Sequence, residues 1–210
     1  MKTTTTAGKL RRWETALLMA FAGALILGIW LNGQQSALAG DVLRLHVLAN
    51  SDSEADQSLK LEVRDAVLAQ AEYCLEGVTS REEAEQRLTE QLRPLAEAGA
   101  EVVAEAGYSY PVTVSLEETW FPTKEYEDFA LPAGTYTALR VVIGEGAGRN
   151  WWCVVFPPLC LGAVSESVES TAAMAGLSEG EISLITGEDE GYVVKFKLLE
   201  LWDELKRNFT

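Results

Sequence analysis

Histidine occurs once in these 210 residues and cysteine three times, and 17 Lys and Arg face 32 Asp and Glu. Each shortage removes a class of function. With His46 alone, the chain has no His pair for the common zinc sites and no H-E-x-x-H motif. A Ser-His-Asp triad would have to use His46, and no G-x-S-x-G elbow accompanies it. The formal charge of −15 argues against nucleic acid or an anionic bilayer surface as the main partner, because both require clustered Lys and Arg. The acidic residues lack D-x-D-x-D-G spacing, which speaks against a calcium loop. The G-x-G-x-G of Gly144–Gly148 has neither a following helix nor the Lys and Ser/Thr of a phosphate-binding loop. No metal and no cofactor is expected.

The N-terminus departs from the acidic average. Lys2, Lys9, Arg11 and Arg12 stand against Glu14 and lead into ALLMAFAGALILGIWL (Ala16–Leu31), which carries no charge. A polar stretch and Ala37-Leu38-Ala39 follow. Basic flank, apolar run and A-x-A match a secretory signal with cleavage after Ala39. The alternative is an uncleaved signal anchor, although a spanning helix wants roughly 20 apolar residues. On either reading residues 40–210 form a single extracytoplasmic domain, and membrane contact is confined to residues 16–31. Export also makes nearby cysteines disulfide candidates.

Along the exported part, VLRLHVLAN (Val42–Asn50) alternates as a strand with one fully apolar face. Asn50–Ser53 are turn and N-cap types opening a helix of about 23 residues. Its stripe of Leu59, Val63, Ala66, Val67, Ala71, Cys74 and Leu75 predicts burial, Cys74 included. Ser80–Glu83 fits a capping box that starts a second helix, and Pro94 should kink or restart it before about Ala106. Tyr110–Leu116 alternates as a half-buried strand. Leu131–Gly134 reads as a turn feeding a strand over Thr135–Ile143. The Gly-rich loop Gly144–Asn150 then suggests a hairpin with Trp151–Phe156, which Pro157-Pro158 must end. Residues 165–190 read as an acidic surface excursion. Tyr192–Lys197 reads as a last strand, running into a helix with Leu198, Leu201, Trp202 and Leu205. The expected fold is α+β, a mainly antiparallel sheet of about four to five strands with helices packed on one face.

The stretch GRNWWCVVFPPLC (Gly148–Cys160) concentrates two tryptophans, two cysteines and two prolines. Three readings compete for it. Cys153 or Cys160 with His46 as base would make a Cys-dependent hydrolase, although Cys153 lies inside a strand rather than at a turn. Cys153 and Cys160 bonded across the double proline would staple the strand exit. One tryptophan facing outward, beside Arg149 and Asn150, would anchor a binding partner or a small ligand.

Three blocks together resemble the stage II sporulation protein R family of endospore-forming bacteria: LRLHVLANSDSEADQSLKLEVRDAVL (Leu43–Leu68), LPAGTYTALRVVIGEGAGRNWWCVVFPPLC (Leu131–Cys160) and VVKFKLLEL (Val193–Leu201). The resemblance implies a secreted sporulation signal, not an enzyme. It would be made in the forespore and cross the forespore membrane into the space between the two cells. There it would trigger a membrane-embedded aspartic protease of the mother cell, which processes an inactive sigma factor precursor. The family-like positions are Asn50, Ser51, Asp52, Asp56, Gln57, Lys60, Arg64 and Asp65 in the first block. In the second they are Gly146, Gly148, Asn150, Trp151, Trp152, Cys153, Pro157, Pro158 and Cys160. The expected partner-binding residues are Arg149, Asn150, Trp151, Trp152, Asn50, Asp52 and Arg64. For Asn50–Asp52 the plainer alternative is helix capping, and for Arg64 ion pairing on a solvated face.

Overall fold

The computed structural model describes residues 13–23, 26, 38–126, 129–159 and 168–186. The chain divides into two compact units, Met1–Ala37 and Leu38–Thr210. The first holds a helix, α1, over residues 13–23, with Leu17, Leu18 and Phe21 exposed. No described helix is long and apolar enough to cross a membrane. The rest of the apolar run, apart from Ile26, and the closing strand and helix expected after residue 191 lie outside the described residues.

The second unit is built on β1 (Leu43–Leu48), which is buried along its whole length. Leu43, Leu45 and Val47 face one cluster, and fully burying such a side chain is worth roughly 1.5–3 kcal/mol. A short helical turn over residues 38–41 precedes it. After β1 come α2 (Glu54–Leu75), α3 (Arg81–Glu90) and α4 (Leu92–Glu105). Ser53 caps α2 by accepting from the Asp56 amide, and Ser80 caps α3 by accepting from the Glu83 amide. The break falls at Gln91, which places Pro94 in the first turn of α4, where a missing N–H costs least. Cys74 is half-buried rather than sealed in the stripe.

The remaining elements are β2 (Val112–Phe121), β3 (Lys124–Glu125), β4 (Ala130–Leu131), β5 (Gly134–Ile143), β6 (Asn150–Phe156), α5 (Val168–Met174) and α6 (Glu179–Thr186). The fold is α+β, with a four-stranded sheet in the order β2-β5-β1-β6. β1 runs parallel to β5 and antiparallel to β6, and β2 is antiparallel to β5.

That order corrects the hairpin expected between β5 and β6. They are not paired, because β1 lies between them. A short Gly-rich connection is equally able to close a hairpin or to step over the end of an intervening strand. Local sequence does not distinguish the two; the burial of β1 along its whole length, with a strand on each side, does. Residues 165–190 also differ from the exposed excursion expected of them. They contain α5 and α6; Ala172 of α5, Ile185 of α6 and Leu177 between them are buried.

Two clusters result. α2, α3 and α4 cover one face of the sheet, over Leu45, Val47, Val141 and Val155. On the other, Leu38, Val42, Phe121, Tyr136 and Val154 pack with residues of α5 and α6. Within this second layer sits Arg44, fully buried. Its guanidinium lies 4.0 Å from the Phe121 ring and 4.9 Å from the Tyr136 ring, and Nη2 donates to the Tyr126 hydroxyl at 2.9 Å. Its Nε and Nη1 have no hydrogen-bond partner among the described residues. Aromatic faces therefore supply much of the attraction that holds this cation.

A carboxyl pair ties the turn over residues 38–41 to α6. Asp41 is pushed up to about 6, first by burial and then by its hydrogen bond to the Glu181 carboxyl. Burial opposes ionisation of Glu181 too, but the Ser178 hydroxyl and amide and the Asp41 hydrogen bond hold it below its usual value. The shared proton therefore rests on Asp41. Because the folded value lies above the ordinary 3.8, this contribution to stability is present at low pH and is lost as pH rises through 6. Asp41→Asn is expected to be more stable than the parent at pH 7, with the gap closing as pH falls toward 4. Thermal melts across that range check it.

Candidate protein-binding surface

The carboxyl end of β1 and the start of α2 are joined by Asn50–Ser53, and the loop from β5 to β6 closes over them. The loop hooks onto β1 by its backbone: the Gly148 amide donates to Ala49 O at 2.9 Å and the Ala147 amide to Asn50 O at 3.2 Å. The Asn50 side chain serves both segments. Its Nδ2 donates to Asp56 Oδ2 at 2.9 Å, while its Oδ1 accepts from the Glu145 amide at 3.1 Å. Ser51 Oγ donates to the same Asp56 oxygen at 2.5 Å. These hydrogen bonds, Ser51 first and then Asn50, hold the Asp56 carboxyl below its usual value.

Glycine is required at the crossing. A Cβ on Gly148 would stand 2.2 Å from the Ser51 carbonyl oxygen, and one on Gly144, whose φ is +59°, would strike the Asn50 side chain. The loop then presents Arg149, whose amide donates to Asp52 Oδ1 at 2.7 Å; its Nε lies 3.7 Å from the same oxygen. From beneath, buried Lys60 donates to the Arg149 carbonyl at 3.0 Å and to Gln57 Oε1 at 2.7 Å. Burial and then the Arg149 charge lower the Lys60 pKa.

On this platform Trp151 stands 36% exposed. The Arg64 guanidinium from α2 covers its ring at 4.4 Å and pairs with Asp65 at 2.6 Å. Leu61, one helical turn before Arg64, is also exposed. Asn50, Asp52, Arg64, Arg149, Asn150 and Trp151 thus gather at one end of the domain. Asn50 is absorbed in the framework; Arg149 and Trp151 offer surface, and the partly buried Arg64 braces the indole.

Trp152 does not join them. It alternates to the other face of β6, half-buried among His46 and Phe121 with ring centroids 6.0 and 6.1 Å away. Lys124 Nζ lies 4.6 Å from its centroid. His46 packs on the same face, and its Nε2 donates to Asn150 Oδ1 at 2.7 Å. Burial lowers its pKa and Asn150 partly restores it.

Cys153, in contrast, packs with Leu43, Leu45 and Val47 on the opposite face. A β-strand places i and i+1 on opposite faces, and His46 pairs with Trp152 while Leu45 pairs with Cys153. The sheet itself therefore separates His46 from Cys153. Cys153 is moreover disulfide-bonded, which leaves no resting thiolate there. Cys160 and Ala37 lie outside the described residues, and Ala39 lies in the turn over residues 38–41. No group of His, Cys, Asp and Glu among the described residues is arranged to hold a metal.

A cavity of about 650 Å³ lies elsewhere, between α2, β6 and α5, lined by Leu68, Leu75, Val78, Val155, Phe156 and Met174 among others. No tryptophan borders it, so it is not the ligand site expected near Trp151 and Trp152. Sequence reasoning passed over two supports of the platform, Tyr110 and the Lys60–Arg149 contact. Tyr110 hydrogen-bonds Asp56. An apolar-stripe reading treats Lys60 as solvated, and its burial beneath a distant loop has no local signature.

The residues that build this platform fall within the region matched by the family model for stage II sporulation protein R, residues 39–166. Stage II sporulation protein R of Bacillus subtilis (strain 168) is 32% identical over 189 residues, covering 82% of this chain and 84% of that protein. No solved structure matches the chain. The chain belongs to the stage II sporulation protein R family, and its role is in sporulation. Neither the family description nor the relative's name carries an enzymatic activity.

The crossing loop supplies a direct check. Gly148→Ala is expected to cost about 1–3 kcal/mol in denaturant melts, because the new methyl meets backbone. Gly180→Ala, in α6 with nothing within 4 Å of the added carbon, should instead gain up to about 1 kcal/mol.

Proposed function

We propose that this protein is an exported sporulation signal that works by binding rather than catalysis. It crosses the forespore membrane into the space between the two cells. There it engages the extracytoplasmic part of a membrane-embedded aspartic protease of the mother cell. Engagement activates that protease, which processes the inactive sigma factor precursor.

Family membership supports the sporulation role, and the resemblance set out above motivates the partner. The observation that carries the binding reading is the Trp151–Arg64 pair: a half-exposed indole under a guanidinium, on a platform fixed by backbone and buried side-chain hydrogen bonds. Tryptophan and arginine dominate the energetics of protein interfaces. A surface rigid before contact loses less entropy on docking. The separation of His46 from Cys153 across the sheet speaks against the Cys153–His46 dyad, one of the two pairings a Cys-dependent hydrolase could use.

Trp151→Ala removes exposed surface, Arg64→Ala removes the guanidinium that lies over it, and both leave the β1 hydrogen bonds in place. Each is expected to weaken partner binding at least about 10-fold and to suppress sigma factor processing while the domain melts cooperatively. His46→Gln, if exported and folded, should still signal. Unimpaired processing in the Trp151→Ala/Arg64→Ala double variant counts against this surface. Loss of processing in folded His46→Gln counts against the non-catalytic reading.

A further inference from the structure

The turn over residues 38–41 sits where a signal sequence was expected to end, yet it behaves as part of the domain. Leu38 is fully buried and belongs to the cluster it shares with Val42, Leu131, Val154, Ala172 and Ile185. Ala39 is half-buried. Asp41 hydrogen-bonds the carboxyl of Glu181 on α6, and Glu181 is itself buried and held by the Ser178 hydroxyl at 2.6 Å and amide at 2.8 Å.

Cutting the Ala39–Gly40 bond would delete Leu38 from a packed cluster, leaving a void of leucine size. It would also cut the chain directly before Asp41, whose hydrogen bond to Glu181 ties this turn to α6. A chain whose core includes the last residues of its own leader is poorly served by losing them. Between Leu31 and Val42 no other pair of small residues stands at the −3 and −1 spacing that signal processing reads; the intervening residues are Asn32, Gly33, Gln34, Gln35 and Ser36 before Ala37.

We propose that the Ala39–Gly40 bond stays intact, so that the signalling domain is displayed while still joined to the apolar segment 16–31, as a membrane-tethered ligand and not a freely diffusing one. This rests on the export reading above. The tether suits a short-range signal. A ligand held at one membrane samples a thin layer, where its effective concentration facing a partner in the opposing membrane is high.

The full chain, carrying a C-terminal tag and expressed in a sporulating host, provides the test. Peptide mapping by mass spectrometry should recover peptides spanning Ala39–Gly40. The tagged protein should sediment with membranes and be released by detergent but not by high salt. Ala39→Glu, which blocks signal processing at the −1 position, should leave the size of the protein unchanged. A mature N-terminus anywhere between Leu31 and Val42, or a larger product from Ala39→Glu than from the parent, overturns the proposal. Protease added outside intact forespores tests export separately. A domain that it cannot reach defeats the export reading wherever the N-terminus lies, whereas an accessible domain with Gly40 first defeats only the tether.

Discussion

The rest of the domain depends on the burial of β1 between β5 and β6. A six-residue strand with both faces and both edges covered can be satisfied only in the interior of a sheet. That placement forces the chain leaving β5 to step over the end of β1 before it returns as β6. The step is what brings Gly148, Arg149 and Trp151 beside Asn50, Asp52 and the first turns of α2. The candidate binding surface is thus the by-product of a topological crossing, stitched by two backbone hydrogen bonds and the two-sided amide of Asn50. A hairpin between β5 and β6 would have left the same residues in a simple loop, far from Arg64.

The electrostatics follow a similar logic of local closure. The chain is strongly acidic, yet its buried charges are few and each is handled differently. Asp56 is saturated by hydroxyl and amide donors, Lys60 by two carbonyl oxygens, and Arg44 by aromatic faces and one phenol. None of these three uses an opposite charge as its main support. That leaves the acidic excess on the solvated helix faces, where it costs little.

Much of this was legible in the sequence. Strand and helix periods located β1, α2, β5 and β6, and Ser53, Ser80 and Pro94 marked helix starts for reasons of backbone chemistry. The apolar face of β1 was visible, but its other face carries Arg44 and His46 and does not read as apolar. Only the long-range covering by Phe121, Tyr136 and Trp152 makes that face interior. The same limit explains α5 and α6: short runs such as Ala172, Leu177 and Ile185, spaced among Gly, Ser and Glu, carry no strong period. Asn50, Asp52, Arg64, Arg149 and Trp151 were chosen from the sequence, yet nothing local said that Lys60 would clasp the loop from below. Pairings over some 90 residues are fixed by the fold, not by neighbours.

The central position of β1 has a mechanical consequence. The chain enters the strand next to Val42 and leaves it at Asn50, beneath the exposed tryptophan. Tension applied between those two ends runs along a strand that is about 20 Å long. It loads the hydrogen bonds to β5 and β6 together, in shear, rather than peeling them one at a time. A domain held at its entry and gripped at its far rim would transmit that pull through its stiffest element.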